Sequence, residues 1–265
     1  MPDSHLHALL AVLAISVLSF SGGLVLALGP ARVRKVLPWL VALSAGALLG
    51  NVFLHLLPEA VEHMGGFRPA LGGWILAGVL GFFAIEAVLH WHHHGEDVER
   101  HAHDREHAHA HGQVRTVAWM NLLGDLLHNV IDGMLVAGAW LVGPDVGLAT
   151  TVAVALHEIP QEFGDLGVLL HAGLSPRRAL TLNFLSAAGA IAGAVVVLTL
   201  GKAVHVEHQL VPLAAGGFLY VACADLVPEL KRSLGGKALP LTLLALLAGI
   251  ALVALVPGHP GHGGH

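Results

Sequence analysis

Eight long apolar stretches, separated by charged residues, proline and glycine, dominate the 265-residue chain. They cover residues 6–28, 38–62, 70–91, 115–141, 146–171, 178–201, 207–230 and 238–256. A bilayer core needs about 20 helical residues per span, whereas a barrel strand needs only about 9–11 alternating residues. The run lengths therefore predict an all-α polytopic membrane protein with eight transmembrane helices. The first stretch lacks a basic leader region and a cleavage site, so we expect it to be a permanent span.

The composition excludes most other classes of protein. Hydrophobic residues make up 55% of the chain and charged residues only 12%, whereas a soluble globular protein has about 25% charged residues. Disordered and disulfide-rich chains are excluded as well, since the chain is apolar and Cys223 is its single cysteine. The unusual number is 21 histidines, against 13 lysines and arginines. In a membrane protein, such an excess of histidine indicates metal binding.

The basic residues are divided unequally between the two sides of the predicted bundle. Eleven lie on one side: Arg32, Arg34, Lys35, Arg100, Arg105, Arg115, Arg177, Arg178, Lys231, Arg232 and Lys237. Only Arg68 and Lys202 lie on the other side. Because lysine and arginine accumulate in cytoplasmic loops, the larger set marks the cytosolic face. We therefore expect a multi-pass protein of the cell membrane with both termini extracytoplasmic.

The longest predicted loop, residues 92–114, lies on the cytoplasmic side and is rich in histidine. Acidic residues are interleaved with the histidines, and a segment of this composition cannot bury a core. We expect a disordered loop in a chain that otherwise forms a single transmembrane transporter domain over residues 1–265. Weak metal binding by the loop is favoured over a plain solvated linker. The candidate ligands there are His92, His93, His94, His101, His103, His107, His109 and His111.

Two segments match without gaps at a separation of 170 residues: 45–59 in the second predicted span and 215–229 in the seventh. Ala-Gly opens both segments, Pro-Glu closes both, and six of fifteen positions are identical. The same separation relates the first span to the sixth and the third to the eighth. Partner spans are five apart, an odd number, so the two triplets have opposite orientations. Inverted repeats are typical of secondary transporters, whose substrate site lies near the midplane.

Ionisable residues inside a bilayer are costly and usually functional. Here they concentrate in the fourth and fifth predicted spans, with nearby amides, at Asp125, His128, Asn129, Asp132, His157, Glu158, Gln161, Glu162 and Asp165. Spacings of three and four residues place Asp125, His128 and Asp132 on one face of a helix. Both groups lie near the centres of their spans, at mid-membrane depth. Hydrogen bonding between helices is the alternative role, but it accounts poorly for so many ligand-type residues on two adjacent spans.

Imidazole, carboxylate and amide groups together form a ligand set for a first-row divalent cation. No thiolate is present among them, so a permanently occupied soft-ligand site is not expected. A closed structural zinc site needs only four ligands, and a larger supply suits an ion that must also leave. Pro160 removes one backbone hydrogen bond from the fifth span, which should free the carbonyl of Leu156 near the site.

The motifs His128-Asn-Val-Ile-Asp132-Gly and His157-Glu-Ile-Pro-Gln-Glu162 resemble the HNxxDG and HExPHE signatures of the ZIP (Zrt-, Irt-like protein) family of metal transporters. Similar segments occur at HLLPEA 55–60, GDLGVLLHAG 164–173, NFLSA 183–187 and DLVPEL 225–230. The resemblance implies eight spans, a midplane metal site on spans four and five, uptake toward the cytosol and often a homodimer. The ligands that it implies are His128, Asn129, Asp132, His157, Glu158 and Gln161, with Glu162 as a ligand or a partner that orients one.

One position departs from the family signature. The second histidine of HExPHE is Gln161 in this chain. A glutamine oxygen is a neutral and weaker ligand than an imidazole, so we expect this substitution to change the affinity and selectivity of the site.

Polar residues on either side of this site mark a candidate route for the ion. His55, Glu59 and Glu62 fall in or beside the outer half of the second span. Asp125, Asp165 and His171 fall in the inner halves of the fourth and fifth spans, on the way to the histidine-rich loop. Interfacial placement or a hydrogen bond between helices is the alternative for each of them.

These observations predict a secondary transporter that moves divalent metal toward the cytosol, Zn²⁺ ahead of Fe²⁺, Mn²⁺ or Cd²⁺. Its partners are metal ions, the lipid bilayer and a second copy in a homodimer, with no resident cofactor and no nucleic acid. An intramembrane metalloprotease is less favoured, because the sequence after His157-Glu158 lacks the second histidine of HExxH. A metal sensor that does not transport is less favoured because of the inverted repeat. No nucleotide-binding motif supports direct use of ATP.

Overall fold

The structure, a computed structural model, describes residues 2–94, 110–204, 207–233 and 239–257. All regular secondary structure in these ranges is helical, which confirms the all-α class. The helices are α1 Pro2–Leu18, α2 Gly23–Leu28, α3 Pro30–Asn51, α4 Leu57–His63, α5 Pro69–His94, α6 Ala110–Val142, α7 Pro144–His171, α8 Pro176–Ala187, α9 Gly189–Val204, α10 Glu207–Tyr220, α11 Val227–Ser233 and α12 Leu239–Ala254.

Several of these helices are parts of longer continuous spans. A 3₁₀ turn at Ser19–Gly22 joins α1 to α2, and π-helical segments join α3 to α4 at Val52–Leu56 and α10 to α11 at Val221–Leu226. Each π segment lies just before a proline, Pro58 or Pro228. A proline ring collides with the carbonyl four residues earlier in a regular α-helix, and the wider π turn relieves that collision.

Six helical stretches of the described residues are long and apolar enough to cross a membrane. They are Asp3–Leu28, Ala31–His63, Pro69–Ala87, Ala118–Val142, Pro176–Leu200 and Gln209–Arg232. The remaining two predicted spans correspond to α7, which carries polar and charged side chains at its middle, and to α12, which has only 16 residues. The bundle of membrane-capable helices is therefore confirmed, while the count of eight spans stays a prediction.

Helices extend into both ends of the segment 92–114 that the sequence predicts as a loop. Helix α5 continues to His94 and α6 begins at Ala110. The backbone of His92, His93, His94 and His111 is therefore helical. The other candidate loop ligands, His101, His103, His107 and His109, lie outside the described residues.

Three helix pairs pack with their backbones in close contact through reciprocal glycines. A Cβ atom at any of these glycines would collide with a backbone carbonyl of the opposite helix. The pairs are α3–α12 with Gly46 and Gly249, α5–α10 with Gly78 and Gly216, and α6–α9 with Gly133 and Gly193. In lipid, small residues that allow such close approach stabilise helix association by van der Waals packing. Helix α7 packs against α3 and α6, which belong to two of these pairs, and against α1.

The α3–α12 contact leads to a stability prediction. Gly46→Ala places a methyl group against the carbonyl oxygen of Leu246, and we expect this overpacking to cost about 1–3 kcal/mol. The measurement is the thermal unfolding midpoint of the purified protein in detergent. Gly72→Ala in α5 is the matched control, because no heavy atom lies within 4 Å of its added Cβ. Equal midpoints for the two variants would contradict the packing account.

Candidate metal site

Helices α6 and α7 are joined by the single residue Gly143 and exchange polar contacts at successive turns. These contacts are Trp140 Nε1 to Thr151 Oγ1 at 3.0 Å, His157 Nε2 to Asp132 Oδ2 at 3.0 Å, Gln161 Nε2 to Asp125 Oδ1 at 3.3 Å and Asn121 Nδ2 to Asp165 Oδ1 at 3.0 Å. Residue numbers fall along α6 as they rise along α7, so the two helices are antiparallel. This register places the two histidine-containing motifs face to face.

Four side chains, His128 and Asp132 of α6 with His157 and Glu158 of α7, form what we call the four-residue cluster. His157 Nε2 lies 3.2 Å from His128 Nε2, 3.0 Å from Asp132 Oδ2 and 3.5 Å from Glu158 Oε1. His128 Nε2 lies 3.6 Å from Asp132 Oδ2 and 3.8 Å from Glu158 Oε1. One ligand atom from each residue lies within 4.8 Å of the other three. Small inward shifts would bring all four within the distances of about 2.0–2.2 Å at which nitrogen and oxygen ligands bind zinc.

The cluster is buried and rich in acceptor atoms. Asp132, His157 and Glu158 are each 2% exposed, while the His128 side chain is 21% exposed. No hydrogen bond of normal geometry reaches either oxygen of Asp132 or Oε1 of Glu158, although His157 Nε2 is close to both residues. In the part of the chain that the structure describes, no lysine or arginine pairs with either carboxyl group. Buried acceptors without a donor are costly, and a bound cation would satisfy them.

The imidazole of His157 is oriented by the backbone of its own helix. Its Nδ1 lies 3.4 Å from the carbonyl oxygen of Ala153. Because a carbonyl oxygen only accepts, this contact favours the tautomer with the hydrogen on Nδ1, in which the lone pair of Nε2 faces the cluster. A carbonyl that fixes the tautomer in this way is typical of histidines that bind metal.

Pro160 frees a backbone carbonyl of α7, as the sequence predicts. Proline has no N–H group, so the carbonyl of Leu156 loses its usual partner within α7. The hydroxyl of Ser44 in α3 donates to this carbonyl at 2.6 Å. This hydrogen bond ties α3 to α7 beside His157 and Glu158, and it holds this part of α7 in place next to the cluster.

The two predicted amide ligands, Asn129 and Gln161, lie next to the cluster, beside Asp125 on the side of the α6 N-terminus. Asn129 Nδ2 donates to Asp125 Oδ1 at 2.8 Å and to the Asp125 carbonyl at 3.0 Å. Gln161 Nε2 donates to the same Oδ1 atom at 3.3 Å. The Ser186 hydroxyl donates to the other oxygen of Asp125. The amide nitrogens are thus occupied by Asp125.

The predicted ligand Glu162 faces α8 rather than the four-residue cluster. Its Oε2 atom accepts a hydrogen bond from Asn183 Nδ2, and its Oε1 has no partner of normal geometry. Sequence reasoning did not assign roles to Asn183 and Ser186, which contact the polar residues of α6 and α7. The sequence did contain a pattern that could have identified them. The two residues are polar, lie three positions apart in an otherwise apolar span, and belong to the NFLSA segment that resembles the family.

A cavity of about 450 Å³ extends from His128 along amide and carboxyl groups of α6 and α7. One wall includes Asn121, Asp125, Gln161 and Asp165, and the opposite wall includes Glu86, Tyr220 and Asp225. The Tyr220 hydroxyl donates to Glu86, which ties α10 to α5 across that wall. Of the three predicted inner-route residues, Asp125 and Asp165 therefore line one cavity. The third, His171, is exposed at the end of α7.

The predicted outer-route residues do not meet at one point. His55 is buried, with Nε2 3.1 Å from the carbonyl oxygen of Val253 in α12. Glu59 pairs with His63 one turn later at 2.8 Å. Glu62 is exposed near the end of α4.

Comparison with known proteins identifies the family. The profile described as ZIP Zinc transporter matches residues 5–115 and 92–257, which together span nearly all of the chain. The chain belongs to the ZIP family. Membership in a family of transporters confirms the expectations that it is not an enzyme and that it is a multi-pass membrane protein.

Three relatives illustrate the similarity of this ZIP chain to curated proteins. Zinc transporter ZIP13 of Pongo abelii is 34% identical over 205 residues, which cover 72% of this chain and 58% of the relative. Zinc transporter SLC39A7 of Mus musculus is 30% identical over 277 residues, which cover 76% and 58%. Zinc transporter zipt-7.1 of Caenorhabditis briggsae is 27% identical over 285 residues, which cover 86% and 73%. The chain spans 58–63% of the length of the first three curated relatives that it matches.

The contact between Asn183 and Glu162 leads to a second stability prediction. Asn183→Ala leaves a fully buried carboxyl group without its donor, and we expect a loss of about 1–3 kcal/mol. Thermal unfolding in detergent measures it. Thr181→Ala, on the exposed side of the same helix, removes only a hydrogen bond to its own backbone and should leave the midpoint nearly unchanged. An unchanged midpoint for Asn183→Ala would mean that the contact does not stabilise the fold.

Proposed function

We propose that this chain transports a divalent metal cation, preferentially Zn²⁺, across the cell membrane toward the cytosol, and that the four-residue cluster binds the ion in transit. The observation that carries the proposal is the convergence of two imidazole nitrogens and two carboxyl groups on one buried point between α6 and α7. The names of the relatives, which call those proteins zinc transporters, support the same ion.

The donor set favours zinc over harder and softer ions. Two nitrogen donors disfavour Mg²⁺ and Ca²⁺, which prefer oxygen, and the absence of a thiolate disfavours strong retention of soft ions. Fe²⁺, Mn²⁺ and Cd²⁺ can bind to the same groups, although none of them fits better than Zn²⁺. We therefore expect these ions to compete with zinc for the site. The ion is the substrate of the protein and not a resident cofactor.

The cavity beside the cluster supplies the route toward the cytosol. It leads from His128 past Asp125 and Asp165, along α6 toward its N-terminus. That end of α6 follows the histidine-rich segment, and the excess of lysine and arginine on this side supports a cytosolic location. The histidines at 92–111 would receive and buffer the released ion. The outer route past His55, Glu59 and Glu62, and assembly as a homodimer, stay predictions from the sequence and the resemblance.

The packing of the helices supports eight spans with an inverted repeat. A shift of 170 residues relates α3 to α10 and α5 to α12. The same shift therefore relates the α3–α12 pair to the α10–α5 pair, and both pairs use reciprocal glycines. The two π segments also correspond, since Val52–Leu56 shifts onto residues 222–226. Helices α7 and α12 complete the eight spans, with α6 and α7 between the two triplets.

Zinc uptake into liposomes tests this proposal. His157→Ala and Asp132→Ala remove two groups that converge at 3.0 Å, and we expect each variant to lose saturable Zn²⁺ uptake. His171→Ala is the matched control, because this histidine is exposed at the end of the same helix, and it should keep most of the uptake.

Direct zinc binding by the same variants in detergent completes the test. Unchanged saturable uptake in His157→Ala would exclude the four-residue cluster as the transport site. Zinc binding to the wild-type protein without uptake would instead favour the sensor function.

Labelling with a membrane-impermeant maleimide tests the orientation. Cys223 is the only cysteine, so Cys223→Ser gives a background free of thiols. We expect Arg68→Cys in this background to be labelled from outside intact cells and Arg178→Cys to be labelled only after permeabilisation, since both positions are exposed but lie on opposite predicted sides. The reverse pattern would invert the orientation and the direction of transport.

A further inference from the structure

Asp125 accepts hydrogen bonds from three other side chains at a buried position beside the four-residue cluster. Asn129 Nδ2 at 2.8 Å and Gln161 Nε2 at 3.3 Å donate to Oδ1. The Ser186 hydroxyl, from α8, donates to Oδ2. Asp125 is 5% exposed. Its acceptor capacity is largely used by protein donors, which leaves Asp125 poorly suited to bind a metal itself.

These hydrogen bonds determine which end of the Asn129 amide faces Asp125. Both partners of Asn129 Nδ2 are oxygens that only accept, the carboxylate and the backbone carbonyl of Asp125. The nitrogen end must therefore face Asp125, and a flipped amide would put two acceptors together. The oxygen end lies on the other side of the planar group, and Asn129 Oδ1 is buried with no hydrogen-bond partner among the residues that the structure describes.

The position of Asn129 along α6 indicates where that oxygen is useful. Asn129 lies four residues after Asp125 and three residues before Asp132, on a shared face of the helix. Since its nitrogen is held toward Asp125, its oxygen would be left to face the turn that carries Asp132. The same argument applies to Gln161, which lies on α7 one turn after His157. Its amide nitrogen also donates to Asp125 Oδ1.

We propose that Asp125 is a positioning residue of the metal site: by accepting from both amide NH₂ groups, it directs the oxygens of Asn129 and Gln161 toward the cation at the four-residue cluster. This inference rests on the proposed function. Two neutral oxygens then complete the coordination without adding charge, which permits release. Without Asp125, either amide is free to rotate and to turn its N–H hydrogens toward the cation. Those hydrogens would repel the cation instead of binding it.

Two substitutions separate positioning from direct binding. Asp125→Ala removes the acceptor, and loss of such an outer partner weakens metal sites by about 10- to 100-fold. We expect its KM for Zn²⁺ uptake in liposomes to rise within that range, with a smaller change in maximal rate. Asp125→Asn keeps an oxygen that accepts from both amides and turns its own NH₂ toward Ser186, so it should transport nearly like wild type.

A spectroscopic measurement reports the coordination directly. Co²⁺ bound to the purified protein absorbs visible light more strongly as its coordination number falls from six to four. We expect stronger absorption for Asp125→Ala than for wild type, and the wild-type spectrum for Asp125→Asn. The double variant Asp125→Ala with Asn129→Asp should recover affinity, because a carboxylate presents an oxygen at either end and needs no orientation. That recovery also shows that the alanine variant is folded.

Three outcomes would overturn the inference. Equal losses in Asp125→Asn and Asp125→Ala would mean that the charge of Asp125 acts on the ion directly. Wild-type affinity in Asp125→Ala would mean that the amides need no positioning. No recovery in the double variant, with the Co²⁺ absorption of Asp125→Ala equal to that of wild type, would mean that the amide oxygens stay on the ion without Asp125. The proposed function fails separately, when His157→Ala leaves zinc uptake unchanged.

Discussion

The burial of two carboxyl groups, with no lysine or arginine partner among the described residues, is the constraint on which the rest of this structure depends. Asp132 and Glu158 are nearly inaccessible, face two imidazoles and lack hydrogen bonds of normal geometry on three of their oxygens. Keeping unpaired charge in a low-dielectric interior costs several kcal/mol per ion. A permanent lysine or arginine partner would remove that cost but would also fill the site. Under the proposed function, a transported cation would remove the cost only while it is bound, which would couple occupancy of the site to the stability of the bundle.

The helix frame holds this arrangement in place by close packing rather than by polar contacts alone. Reciprocal glycines bring α6 against α9, and also bring α3 against α12. The Leu156 carbonyl that Pro160 frees is bound by Ser44 of α3, which anchors α7 beside the cluster. Such contacts have discrete geometries, because bulkier residues cannot replace glycine without moving a helix.

Much of this fold and site could be predicted from the sequence, and the failures have a common physical cause. Apolar run length predicts the helices, and the cost of buried polar groups selects α6 and α7, whose histidines and carboxyl groups the structure brings together. Spacing along a helix identifies a face, but it does not give the rotation of that face toward its neighbours. Motif similarity therefore grouped Gln161 and Asn129 with the ligands without revealing that Asp125 holds their nitrogens. The role of Asn183 depends on packing between α7 and α8, which no local pattern reports.

The location of a bound ion tests the central claim most directly. Anomalous X-ray diffraction at the zinc absorption edge, from crystals grown with Zn²⁺, locates the metal independently of any transport assay. We expect a peak between α6 and α7, with the Nε2 atoms of His128 and His157 at about 2.0–2.1 Å and with oxygens of Asp132 and Glu158 among the other ligands. A protein that transports zinc but shows its only zinc peaks elsewhere, with His157 unliganded, would contradict it.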